Sequence, residues 1–161
     1  MQVAIAQGWS KSRTKELVDE SISYEPDFYH VYREYANYLQ PKWYGKEGEA
    51  EAFGNAISQR IGGDEGSFVY FEIATVLNCT PCGNSENIDN LSWPKIKEGY
   101  VALERLYGTS PLKRNRFAFL TVKFRDKGAA REVFLQIGDN WDQDVWANRE
   151  TFEAAKVWAI N

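Results

Sequence analysis

An all-α fold is what this sequence predicts, and three observations predict it. Apolar residues recur at three- and four-residue intervals in one segment after another. No segment alternates apolar and polar residues as a half-buried strand does, and the β-branched residues fall within helical spacing. Pro, Gly and Ser stand between the periodic segments, where helices stop and start.

In chain order, residues 1 to 9 read as the tail of a helix or a loose end. Ser10 or Ser12 can cap a helix reaching Tyr24, with Leu17, Val18, Ser21 and Ile22 inward, and Pro26 ends it. A second helix from Asp27 to Gln40 carries Phe28, Val31, Tyr32, Tyr35, Ala36 and Leu39 on one stripe. The two-residue link makes this pair an antiparallel hairpin, and Pro41 forbids continuation. After an aromatic turn with Trp43 and Tyr44, a third helix from Glu49 to Ile61 turns Phe53, Ala56, Ile57 and Ile61 inward until Gly62 and Gly63 stop it. Asp64 can cap a fourth helix to Asn78. Its apolar residues surround most of the circumference, so it should be the most buried helix.

The segment 79–91, CTPCGNSENIDNL, reads as a long surface loop. Ser92 then caps a fifth helix with Pro94 in its first turn and Trp93, Ile96, Tyr100, Leu103 and Tyr107 on one face. A sixth helix from Leu112 to Arg125 turns Phe117, Leu120, Thr121 and Phe124 inward, and a seventh from Ala129 to Ile137 buries Ala130, Val133 and Phe134. From Asp142 one broken helix or two follow, anchored by Trp146, Phe152, Ala155 and Trp158.

At 161 residues and 43% hydrophobic content the chain reads as one domain, 1–161, large enough for a sizeable core. Six Trp, nine Tyr and nine Phe supply large contact areas where helices meet. A net charge of -4 gives no global attraction to phosphate backbones or anionic membranes, so nucleic acid is not the default partner. No run approaches the roughly 20 apolar residues that span a bilayer. The N-terminus MQVAIAQGW lacks a charged leader, and with two cysteines the cytoplasm is the expected compartment.

The set Tyr32, Tyr35, Ala36, Leu39 has a large, large, small, large spacing that recurs as Tyr70, Ile73, Ala74, Leu77 and as Phe117, Leu120, Thr121, Phe124. This resembles the first helix of a tetratricopeptide repeat, although the small positions lie 38 and then 47 residues apart where that repeat has about 34. QGWS at 7–10, EPDFY at 25–29, YANYLQPKWYG and AF at 52–53 are similar to an uncharacterised bacterial family of tetratricopeptide-like domains of unknown function. The resemblance implies stacked helical hairpins with a concave side that binds a protein or peptide. In that register the groove receives His30, Arg33, Asn37 and Gln40 from the second helix, Phe68, Phe71, Thr75 and Asn78 from the fourth, and Asn115 from the sixth. Arg33 and Asn37 form its polar end and Phe71 its apolar floor. The alternative is that later helices fill the groove and these residues satisfy only local hydrogen bonds.

Enzymatic chemistry has little support. His30 is the one histidine, so no Ser, His and Asp constellation or four-ligand zinc site can be argued, and no glycine-rich phosphate loop is present. No cofactor is expected. Cys79 and Cys82 form a CTPC motif that follows a predicted helix rather than opening one, which reads as incidental thiols, with a reversible disulfide or a metal site as the alternatives. The segment 113–131 concentrates Lys113, Arg114, Arg116, Lys123, Arg125, Lys127 and Arg131 around Phe117, Phe119 and Phe124. It resembles an RNA-binding patch, but Phe117 and Phe124 are needed inside and the charges can be matched by acidic residues such as Glu47, Glu49 and Glu51.

Overall fold

The computed structural model describes residues 2–79 and 90–161, and among these the chain is all-α. Nine helices follow one another: α1 Gln2–Ala6, α2 Lys11–Tyr24, α3 His30–Tyr38, α4 Glu49–Ile61, α5 Gly63–Leu77, α6 Trp93–Tyr107, α7 Pro111–Lys123, α8 Lys127–Ile137 and α9 Arg149–Ile160. Side-chain caps fix several starts. Ser10, Ser110, Asp126 and Asn148 each accept the backbone N–H three residues on, satisfying a donor that the first turn leaves without an intrahelical partner.

Of the boundaries that differ from the sequence reading, three have a clear local reason. The helix expected from Asp27 begins at His30, because residues 25–29 close into tight turns through Phe28 N–H to Glu25 O and Tyr29 N–H to Asp27 O. It ends at Tyr38, since the carbonyls of Tyr38 and Gln40 are taken by the following turn from Tyr44, Trp43 and Gly45. At the next joint the cap is Gly62 rather than Asp64. Its φ of 72° with ψ of 175° is closed to side chains with a Cβ, which lets α4 and α5 meet with one residue between them. Asp64, freed from capping, binds Arg105 of α6.

Helix α5 is the centre. It packs against α3, α4, α6 and α7, and every residue from Phe68 to Asn78 is buried. The closest approach is made by α6: a Cβ on Gly99 would lie 2.1 Å from Ser67 O and 2.8 Å from Phe71 Cβ, so only glycine admits this contact. Tyr100 stacks on Phe117 at 3.9 Å between centroids, which joins α6 to α7. The small residues Ala36, Ala74 and Thr121 are all at 0% exposure. One apolar cluster runs from Val18 to Ala159, with α8 packed on α7 and α9 on α8. Leu17, Phe28, Ala56, Tyr107 and Trp158, expected inside, are exposed. Among the described residues no helix is long and apolar enough to cross a membrane.

Candidate functional site

Most of the residues assigned to a groove from sequence are sealed. Phe71 is fully buried against Tyr100 and Phe117, so it cannot be the floor of an open groove. Asn115 is equally enclosed. It donates to Pro111 O and Asn140 O and accepts from Trp146 Nε1 at 2.9 Å, which makes it a core tie to the C-terminal turn and not a partner contact. Phe68, Gln40, Thr75 and Asn78 are also buried. Gln40 donates to Asn37 Oδ1 at 2.7 Å, and Thr75 bonds the Glu72 carbonyl. His30 is exposed, while Arg33 and Asn37 are half-buried and reachable.

What the arrangement gathers instead is charge. Glu72, buried in the middle of α5, forms an ion pair with Lys113 of α7. Burial pushes the Lys113 ammonium down, Glu72 partly offsets this, and the nearby Arg116 and Arg33 push in the same direction as burial. Arg116 is likewise lowered by burial and then by Arg33, with Glu72, Asp142 and Asp144 opposing. Among the described residues Arg116 makes no hydrogen bond or ion pair. Arg33 reaches Glu34 at 3.5 Å and leaves its buried Nε without a partner. Lys113 pairs with the buried carboxylate of Glu72, Arg116 feels it together with Asp142 and Asp144, and Arg33 stands near both cations.

Beside Arg116, a cavity of about 20 Å³ is lined by Thr75, Asn78 and Asp144, room for a single water. The Asn78 carboxamide donates to Ala74 O, and its oxygen is buried without a partner. A much larger concavity, about 720 Å³, lies between α2 and α4 over Tyr35 and Leu39. Most of its rim charges are already paired, Lys11 with Glu49 and Lys15 with Asp19.

Sequence reasoning missed Glu72 and separated Lys113 and Arg116 from the groove. A signal was present: Glu72 is the one charged residue between Ser67 and Asn78, and a lone acid on a helix apolar all round needs a cation brought to it. The expected match of the basic segment to Glu47, Glu49 and Glu51 is corrected, since Glu49 holds Lys11 and Lys113 holds Glu72. The aromatics of that segment are engaged internally. Phe117 is buried, Phe124 stacks on Trp93 at 4.9 Å, and Phe119 meets Trp146 edge-on.

Cys79 is disulfide-bonded, which replaces the reading of incidental thiols by the disulfide alternative. Cys82 lies outside the described residues. Among the described residues no three His, Cys, Asp or Glu side chains converge as metal ligands.

No family model matches this chain, no curated protein matches it, and no solved structure matches it. The resemblance to tetratricopeptide-like domains therefore rests on the residues quoted for it.

Proposed function

We propose that this chain is a non-enzymatic binding module whose α3, α5 and α7 face takes an acidic segment of a protein or peptide. The observation that carries the reading is Arg116, a partly desolvated guanidinium beside Arg33 that makes no hydrogen bond or ion pair among the described residues, with Glu72, Asp142 and Asp144 acting on it only from longer range. A half-buried guanidinium with unused donors is poorly satisfied, and an incoming carboxylate relieves it by forming charge-assisted, bidentate hydrogen bonds. Asn37 and His30 extend the polar strip along α3 for backbone contacts.

The test uses labelled ten-residue peptides of acidic, neutral and basic composition in fluorescence anisotropy. Acidic peptides should bind at least about tenfold tighter than basic ones, an advantage that shrinks with added salt. Arg116→Ala should abolish the preference while the circular dichroism spectrum stays helical. Equal affinity for acidic and basic peptides would sink the reading. A second reading, thiol redox at Cys79, is favoured by its disulfide. Thiol titration before and after mild reductant checks it.

A further inference from the structure

At the opposite end of the α5 row from that face, four helix ends converge on one pocket. Asp27 lies in the turn between α2 and α3, Tyr29 caps α3, Ile61 ends α4, Glu65 and Phe68 belong to the first turns of α5, and Tyr107 ends α6. Together these residues line a concavity of about 690 Å³. Its apolar part is aromatic. Phe68 meets Tyr29 edge-on at 5.5 Å and Tyr107 at 5.2 Å and 62°, so three rings enclose one corner.

The rest of the lining is anionic. Asp27 and Glu65 both border the pocket, and no cation does. Among the described residues neither carboxylate makes a side-chain hydrogen bond or ion pair. The cations adjacent in sequence are occupied or turned elsewhere: Arg105 is held by Asp64 at 2.8 and 2.6 Å, and Arg60 lines the separate groove with Lys15 and Phe53. The field of the two acids reaches the rings. Burial first, then Tyr107, Asp27 and Glu65, push the Tyr29 hydroxyl up to about 12.

From this geometry we infer that the pocket of Tyr29, Phe68 and Tyr107, walled by Asp27 and Glu65, binds a quaternary or trimethylated ammonium group. Ring faces attract a cation through their quadrupole, and carboxylates at the rim add to the attraction at longer range. Methylation suits the site because a methylated ammonium needs few hydrogen bonds and loses little on leaving water, whereas a bare ammonium would give up its hydration for two carboxylates at an open rim. This site is separate from the α3, α5 and α7 face and stands whether or not that face binds acidic peptides.

The shared chemistry has two sources, a free small cation or a trimethylated lysine of a partner. Titrations followed by NMR on the whole chain separate them, using choline, its neutral isostere 3,3-dimethylbutan-1-ol, a trimethyllysine peptide and the same peptide unmethylated. Choline should bind at about millimolar affinity or tighter and at least about fivefold better than the neutral isostere. Tyr107→Ala and Glu65→Gln, both at exposed positions, should each weaken it about three- to tenfold with the helical spectrum retained. A trimethyllysine peptide binding more tightly than both choline and its unmethylated form assigns the pocket to a modified protein. Equal affinity of choline and that peptide assigns it to a free cation. The inference is overturned if the isostere binds as well as choline, if Tyr107→Ala leaves affinity unchanged, or if no methylated cation binds at about 50 mM, where even a weak millimolar site would be mostly filled.

Discussion

Phe68 and Glu72 stand one turn apart on α5, and the regions they lead into have opposite character. Around Phe68 the walls are helix ends and turns, the pocket is open, and both carboxylates are exposed. Around Glu72 the neighbours come from α3 and the first turns of α7, and the buried carboxylate is drawn into a pair with Lys113. The difference lies in what surrounds a side chain. A carboxylate buried among packed helices must pair, while one exposed at helix ends and turns is under no such demand.

The strongest way to break this contrast is Glu72→Ala, which strands Lys113 beside two other cations. A loss of about 2–3 kcal/mol in urea denaturation is expected, short of the full cost for a completely buried pair because Lys113 keeps 23% of its side-chain surface exposed. If Glu65→Ala at the open pocket costs as much, the contrast fails.

An alkaline titration sharpens the comparison from the other region. Tyr29 and Tyr100 are both pushed up to about 12, Tyr100 first by burial and then by Glu104. The unfolded chain releases these protons near pH 10, so the folded state holds them more tightly. Stability from both is intact below about pH 10 and is lost as the pH rises toward 12. Asp27→Asn should lower the Tyr29 midpoint, read by tyrosinate absorbance, and leave Tyr100 unmoved. The smallest effect belongs to Arg116→Ala: removing a cation from between Arg33 and Lys113 offsets the lost packing of its stem, so stability should stay within about 0.5 kcal/mol.

Much of the fold was legible in the sequence, because helical spacing and punctuation are local signals. Ala36, Ala74 and Thr121 were identified as close-packed positions from spacing alone, and all three are fully buried. For the candidate groove the sequence offered only a helical register. A helical wheel tells which residues share a face and says nothing of what covers that face. Phe71 is covered because Gly99, 28 positions later, lets α6 come within contact of its Cβ. Asn115 is sealed by Trp146, 31 residues downstream. The Glu72 to Lys113 pair spans 41 residues. Such partners follow from packing of distant elements, which single-helix periodicity does not encode.

The burial of α5 on every side has a consequence for amide hydrogen exchange. A helix packed by α3, α4, α6 and α7 has no edge from which to fray inward, so its central amides should exchange only when the whole array opens. Both proposed sites are anchored on this helix, one through Phe68 and the other through Glu72. A ligand held at either should then slow deuterium uptake in the slowest-exchanging class of α5 by the factor 1 + [L]/Kd, so that occupancy at the surface is read out at the centre of the molecule.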